Sequence, residues 1–278
     1  MQGQTIRQPT AVVVDLKFAK NEAQVYVMLS RAQNLNQIYI IDKLCEEKWK
    51  ASSSGLLEFK SGLENAINIE RSEEKKCFEI VSMNILSLRK HFVDLFKRFE
   101  NSDVNVINLQ ETWLEPNTDA TNYSIRDMIP HLNSVGRGKG LATYVGRDFI
   151  LRGEFIAEEL CQLMKVSNED IEIVNVYRSQ QCSSQVFQEK VRFVVDTSRP
   201  TIVCGDTNID ISKDRGRAFI EFMESLGLTQ LVTQPTHARG GLLDHVWVTA
   251  DLRDKVNVKQ TAVYFSDHTI LTIEISNM

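Results

Sequence analysis

Residues 202–209 read Ile-Val-Cys-Gly-Asp-Thr-Asn-Ile, a buried-strand pattern that breaks into Gly-Asp-X-Asn at its carboxyl end. Residues two apart on an extended backbone leave it on the same face, so Asp206 and Asn208 can meet one phosphate or one water. Gly, Asp and Asn also tolerate turn dihedrals, and the same letters describe an ordinary strand-ending turn. What the other strand ends carry decides between the two.

Phe78-Glu-Ile-Val-Ser-Met-Asn84 is a β-rich run that stops at Asn84. Arg89 to Glu100 then places Phe92, Leu95, Phe96 and Phe99 on one helical face. Val104 to Leu109 alternates as a strand and runs into Gln110-Glu111-Thr112-Trp113. Further strands are expected at 141–145, 162–166, 171–177, 202–204, 243–248 and 269–275, and helices at 185–196 and 215–226. This alternation predicts an α/β (α+β) chain of packed sheets with outer helices. A flexible stretch, Lys50-Ala-Ser-Ser-Ser-Gly55, and a charge run, Glu70 to Lys76, mark residues 49–75 as a linker between segments 1–48 and 76–278. In the first segment, 11–16 and 37–41 read as strands and 22–32 as a helix.

Hydrophobic residues at 42% and charged residues at 25% are ordinary for a soluble globular chain. No apolar run approaches the roughly 18 residues a bilayer span needs, and the amino terminus lacks a signal-peptide layout. An intracellular protein without a membrane partner is expected. Five cysteines, at 45, 77, 161, 182 and 204, are odd in number and form no Cys-X-X-Cys pair, which argues against a disulfide framework or a zinc site. A net charge of −5 gives no global basic field, so contact with a polyanion has to be local.

Polar residues suited to catalysis recur at the strand ends: Asn84, Glu111, Tyr177, Asp206, Asn208, Asp244, Asp267 and His268. Hydrolysis of a phosphodiester needs a hard divalent cation, an oriented water and a donor to the phosphoryl oxygen. Magnesium is often held by one or two carboxylates, which Glu111 and Asp267 can supply. Asp206 can deprotonate a water that Asn208 holds in line. His268 can donate to the phosphate if a carboxylate, Asp244 being the candidate, raises its pKa. Asp267 and His268 are adjacent, so both reach one site only if the backbone turns there. Each residue also has a plainer reading: Glu111 as a solvated loop acid, Tyr177 as a core aromatic, Asp244 as a strand-start residue. His91, His131, His237 and His245 are assigned to structure or surface.

In chain order, Met83-Asn84, Gln110-Glu-Thr-Trp-Leu114, Asn175-Val-Tyr-Arg178, Gly205-Asp-Thr-Asn208, Leu243-Asp-His245 and Ser266-Asp-His268 resemble the endonuclease/exonuclease/phosphatase superfamily over residues 76–278. The Glu-Thr-Trp-Leu signature, the arginine after the tyrosine and the segment Arg137 to Val145 look most like endonuclease domains of retroelements and related transposons. The resemblance implies a four-layer sandwich, two mixed β-sheets face to face with helices outside, and an active site at one sheet edge. It implies Glu111 as the Mg²⁺ ligand, with Mn²⁺ as a substitute, and Asp267 as a second acid near the metal. Asp206 and Asn208 become the water-positioning pair, Asp244 orients His268, and Asn84 and Tyr177 contact the phosphate. Three positions depart from the pattern: Leu86 stands where many abasic-site relatives carry an acid, Thr207 replaces an apolar residue, and Ser179 stands where a proline often follows.

The implied activity is a Mg²⁺-dependent endonuclease of a transposable element that nicks DNA and leaves a 3′ hydroxyl. The alternatives are another phosphodiesterase or phosphatase of the superfamily, acting on RNA, inositol phosphates or lipids, and a decayed inactive domain. Arg137, Lys139 and Arg178 are the candidate DNA contacts. Residues 75–278 hold 23 Lys and Arg against 27 Asp and Glu, so affinity for DNA is expected to be modest and salt-sensitive. A nuclear monomer is expected.

The first forty residues resemble something else. Gln2-Gly3-Gln4-Thr5 and Val25 to Ala32 look like the last two conserved motifs of Pif-type superfamily 1 helicases, with Gln2, Gly3 and Thr5 in a DNA-contacting motif and Arg31 as the γ-phosphate arginine. The chain contains no Gly-X-X-X-X-Gly-Lys-Ser/Thr loop, so no ATP site is expected. A helicase end joined to such a nuclease is similar to Helitron-like transposon polyproteins, and a truncated or decayed copy is expected.

Overall fold

The computed structural model describes residues 12–14, 38–40 and 77–276, apart from 147, 148, 158 and 159. The chain divides into two units, Met1–Glu74 and Lys75–Met278. In the first, β1 (Val12–Val14) pairs in parallel with β2 (Ile38–Ile40), inside the two stretches expected as strands. The expected helix at 22–32 and the helicase-like residues Gln2, Gly3, Thr5 and Arg31 lie outside the described residues.

The second unit runs β3 (Phe78–Asn84), α1 (Leu88–Phe99), β4 (Val106–Gln110), β5 (Ile129–Asn133), β6 (Leu141–Val145), β7 (Ile150–Ala157), β8 (Cys161–Ser167), β9 (Glu172–Arg178), α2 (Ser184–Val194), β10 (Thr201–Asp206), α3 (Arg217–Ser225), β11 (Leu228–Gln230), β12 (Asp244–Thr249), β13 (Val256–Thr261) and β14 (Ile270–Ile275). Six strands form one mixed sheet in the order β13-β14-β3-β4-β6-β5, and six form a second in the order β11-β12-β10-β9-β8-β7. The sheets pack face to face. Ile80, Val106 and Ile273 of the first share one core cluster with Ile173, Ile202 and Val246 of the second.

The opposite faces of the same strands bury a different set, as the period of two requires. Val81, Met83, Ile107 and Leu109 look outward onto Leu88, Leu95 and Phe99 of α1. On the second sheet, Val174, Val203 and Trp247 meet Phe187 and Val191 of α2 and Phe219 and Met223 of α3. Both faces of each sheet are therefore covered, which makes four layers. Ser87 caps α1 by accepting from the Lys90 N–H, and Ser183 caps α2 by accepting from Val186.

Every strand expected in this unit is present, with ends shifted by at most two residues. The four strands without a sequence signal, β5, β7, β11 and β13, are the four sheet edges. An edge strand pairs on one side only and tolerates proline, polar residues and irregular register. Pro130 sits in β5, the β7 register shifts between Leu151 and Phe155, and β13 alternates half-buried with exposed positions. Among the described residues no helix is long and apolar enough to cross a membrane.

Candidate active site

The carboxyl ends of β3, β4, β9 and β10 and the amino end of β12 meet at one rim, because the parallel pairs β3–β4 and β9–β10 run the same way and β12 runs against β10. In register, Asp206 stands between Tyr177 and Asp244. β10 approaches β9 so closely before it that Gly205, with φ +142°, has no room for a Cβ, which would collide with the Val176 carbonyl oxygen.

Asp206 is buried and gripped from both sheets. Its Oδ2 accepts from Asn84 Nδ2 at 2.9 Å and Asn208 Nδ2 at 3.3 Å, and its Oδ1 accepts from the Asn208 backbone N–H at 2.8 Å. Burial, reinforced by the adjacent Asp244, pushes its carboxyl up to about 7, against the opposing pull of His268 and the amide donors. Asn208 adopts the left-handed conformation, φ +51°, that folds it back over Asp206, and its amide also donates to the Arg178 carbonyl at 2.9 Å.

His268 Nδ1 lies 2.8 Å from Asp244 Oδ2. Burial alone would depress the imidazole, but the Asp244 carboxylate overrides it and pushes His268 up to about 9. The ring is therefore protonated at neutral pH, with Nε2–H as a charged donor at the cavity wall. Ser266 Oγ donates to the Asn84 carbonyl at 2.7 Å and accepts from the His268 N–H at 3.1 Å. This bends the backbone enough that Asp267 and His268 both line the cavity, the condition their adjacency imposed.

Glu111 leaves β4 with φ +51°, a costly conformation for a non-glycine residue and one seen where function demands it. Its Oε1 accepts from the Tyr177 hydroxyl at 3.3 Å and its Oε2 from Trp113 Nε1 at 3.1 Å. Burial and then the Glu111 charge push the Tyr177 hydroxyl upward, so it stays a donor, shared with the Gly138 carbonyl at 2.9 Å. Among the described residues Glu111 has no ion-pair partner, and Asp267 pairs only with His237 and His268. Two such oxygen-donor acids on one cavity suit a hard divalent cation that keeps several waters.

The expected DNA contacts are placed differently. Arg178 is buried, and its guanidinium donates to the carbonyls of Thr207 at 3.1 Å, Asn208 at 3.5 Å and Cys182. It braces the loop carrying Asn208 and also lines the cavity. Arg137 is exposed and lies over the Trp113 ring at 5.7 Å, and neither it nor Lys139 lines the cavity. Besides Arg178, the basic side chains that do so are Lys213, Arg215 and Arg239, and the His237 imidazole joins them. All four come from two turns between β10 and β12, after Asn208 and before Leu242. That proximity to the motifs was the signal that could have found them. Thr207, one of the three departures named from the sequence, bonds His245 Nδ1 at 3.2 Å, and burial holds that imidazole neutral, pushed down to about 4. Cys161, Cys182 and Cys204 are buried.

Residues 171–272 match the family model described as endonuclease-reverse transcriptase. Among solved structures, the endonuclease domain of TRAS1, a telomere-specific non-LTR retrotransposon, is 17% identical with a TM-score of 0.58, covering 72% of this chain and 98% of that one. An AP endonuclease from Archaeoglobus fulgidus is 14% identical with a TM-score of 0.59, covering 72% and 100%. The 3′ phosphatase NExo from Neisseria, bound to product DNA hairpin, is 17% identical with a TM-score of 0.57, again covering 72% and 100%. No curated protein matches. The likeness establishes a shared fold, two face-to-face β-sheets with helices on their outer faces.

Proposed function

We propose that residues 76–278 form a Mg²⁺-dependent endonuclease of transposable-element origin that nicks DNA in the nucleus and leaves a 3′ hydroxyl. The observation that carries this reading is the grip of Asn84 and Asn208 on Asp206 beside the 2.8 Å Asp244–His268 pair. The match to an endonuclease-reverse transcriptase family supports it.

A divalent cation held by Glu111, with Asp267 nearby, would neutralise charge on the phosphate oxygens. Asp206 takes the proton of the attacking water, a task for which a carboxyl poised near neutrality is suited. The water oxygen bonds to phosphorus, the P–O3′ bond breaks, and the departing 3′ oxygen takes up a proton from solvent to become the hydroxyl. Asn84 and Asn208 fix the direction of its lone pairs. His268 donates its Nε2–H to a phosphoryl oxygen as charge develops, and Asp244 keeps the ring charged and oriented. Tyr177 and Trp113 hold the Glu111 carboxylate in place.

Supercoiled plasmid provides the test. Open circles that form with Mg²⁺ but not EDTA, and whose nicks a polymerase extends directly, are the expected product. Glu111→Ala and His268→Ala each abolish them while folding normally. Nicking that survives EDTA, or that is undiminished in both folded variants, sinks the reading.

A further inference from the structure

We infer that His237 is a positioning residue for Asp267, holding that acid's orientation through a specific imidazole tautomer. The inference rests on the reading of Asp267 as an acid of the proposed metal site. His237 Nε2 lies 3.2 Å from Asp267 Oδ2, and the His237 ring stands edge-on to His268, centroids 4.8 Å apart and planes at 86°.

The tautomer follows from the other ring nitrogen. The Arg239 backbone N–H donates to His237 Nδ1 at 3.0 Å, so Nδ1 is the acceptor and the proton sits on Nε2, aimed at the carboxylate. The same bond counts against a second reading, in which His237, Asp267 and His268 together ligate a zinc-like ion, since ligation by Nε2 needs that nitrogen bare. It favours a donor that fixes one Asp267 oxygen and leaves Oδ1, 3.9 Å from His268 Nε2, for the site.

The backbone is built to hold this contact. His237 and His268 form an isolated antiparallel bridge, the Ala238 N–H donates to the Asp267 carbonyl at 2.8 Å, and the Thr269 N–H donates to the Thr236 carbonyl at 2.8 Å. One residue earlier, Thr236 Oγ1 accepts from the backbone N–H groups of Leu243 and Asp244 at 3.1 and 3.0 Å. The turn at 236–241 thus sets both the acid beside the proposed metal and the acid behind His268. The Asp267 side chain is 44% exposed, so without a neighbour its rotamer would be free.

The test uses the whole chain. In metal-free protein, a long-range ¹H–¹⁵N spectrum of the histidine rings should show His237 as the Nε2–H tautomer. Calorimetric titration with Mn²⁺ alone should show about tenfold weaker binding for His237→Phe, the loss typical of removing a partner of a metal ligand. The Mg²⁺ concentration giving half-maximal nicking should rise in parallel. His237→Gln, which keeps an N–H at similar reach, should bind Mn²⁺ nearly as well as wild type. An Nδ1–H tautomer, unchanged Mn²⁺ affinity in a folded His237→Phe protein, or a His237→Gln protein as weak as His237→Phe each overturns the inference. A wild type that binds Mn²⁺ with the expected variant pattern but cuts no DNA defeats the nuclease reading alone. A wild type that nicks normally alongside an unaffected His237→Phe defeats the His237 inference alone, and one that neither binds Mn²⁺ nor nicks defeats both.

Discussion

The interface between the two sheets has an apolar end and a polar end, and each central strand crosses from one to the other. Inward residues read Ile80, Ser82, Asn84 on β3, Val106, Asn108, Gln110 on β4, Ile173, Asn175, Tyr177 on β9 and Ile202, Cys204, Asp206 on β10. The first layer is held by area removed from water and has no direction. The second is a hydrogen-bonded ladder: Gln110 Nε2 donates to Asn175 Oδ1 at 2.7 Å, Asn175 Nδ2 to Thr143 Oγ1 at 3.1 Å, Thr143 Oγ1 to Asn108 Oδ1 at 2.9 Å and Asn108 Nδ2 to Cys204 Sγ at 3.3 Å. Directional bonds fix the sliding of one sheet over the other, which apolar contact leaves soft. That is what lets Asn84 of one sheet meet Asp206 of the other at 2.9 Å.

The comparison breaks most plainly at its extremes. Asp206→Asn or His268→Ala should lower nicking by about 10²- to 10⁴-fold, the range for a lost acid or base. Asp206→Asn should melt no lower than wild type, because it removes one of two adjacent buried carboxylates. Ile273→Ala at the apolar end should do the reverse, destabilising by about 2–5 kcal/mol in denaturant titration with kcat of the folded fraction unchanged. An Asp206→Asn protein that melts well below wild type would show that the polar end also carries the fold. Between the extremes, Asn175→Leu takes from Gln110 Nε2 its 2.7 Å acceptor and from Thr143 Oγ1 its 3.1 Å donor, leaving them only Ser82 Oγ and Asn108 Oδ1. It should lose about 1–3 kcal/mol and also lower kcat, since the alignment of the rim depends on the ladder.

A smaller effect separates the two halves of the rim. With Asp206 at about 7 and His268 at about 9, nicking should rise through pH 7 as the base ionises and fall through pH 9 as the donor loses its proton. The sign for stability is the same on the second limb. His268 is raised above its ordinary 6.5, so its pairing stabilises fully below pH 6.5 and is lost as pH rises through about 9. Asp244→Asn should move the falling limb to lower pH and leave the rising limb less displaced, measured as kcat/KM against pH. A falling limb that stays in place would remove Asp244 as the source of the His268 charge.

This gradient explains which parts of the protein were legible in its sequence. Central strands are covered on both sides, so their apolar runs are long, and their polar ends stood out against them. Asn84, Glu111, Asp206 and His268 could be named because each interrupts such a run. The edge strands carry no comparable run, and Pro130 or the half-exposed alternation of β13 hides them. His237 reads from the sequence as structure or surface, because the turn that brings it across 31 residues of chain to His268 is encoded by no periodicity. The burial of Arg178 is hidden for a physical reason: an arginine at a strand end reads as a surface cation, and only the fold shows the carbonyls that surround it.

The weakest expected effect lies at the outermost layer of the polar end. Arg137 rests on Trp113, whose indole N–H holds Glu111, so two roles are available to it: propping the ring, or offering its exposed face to a DNA phosphate. An exposed cation–π contact is worth about 0.5–1 kcal/mol, so Arg137→Ala should slow nicking roughly two- to fivefold. If the arginine meets phosphate, the loss shrinks as salt rises and the slope of log affinity against log salt falls by about one. Trp113→Phe keeps a ring under the cation but removes the donor to Glu111. Its loss should persist at every salt concentration, and a salt-independent Arg137→Ala loss of the same size would place Arg137 with Trp113 as a prop for Glu111, not with the DNA contacts.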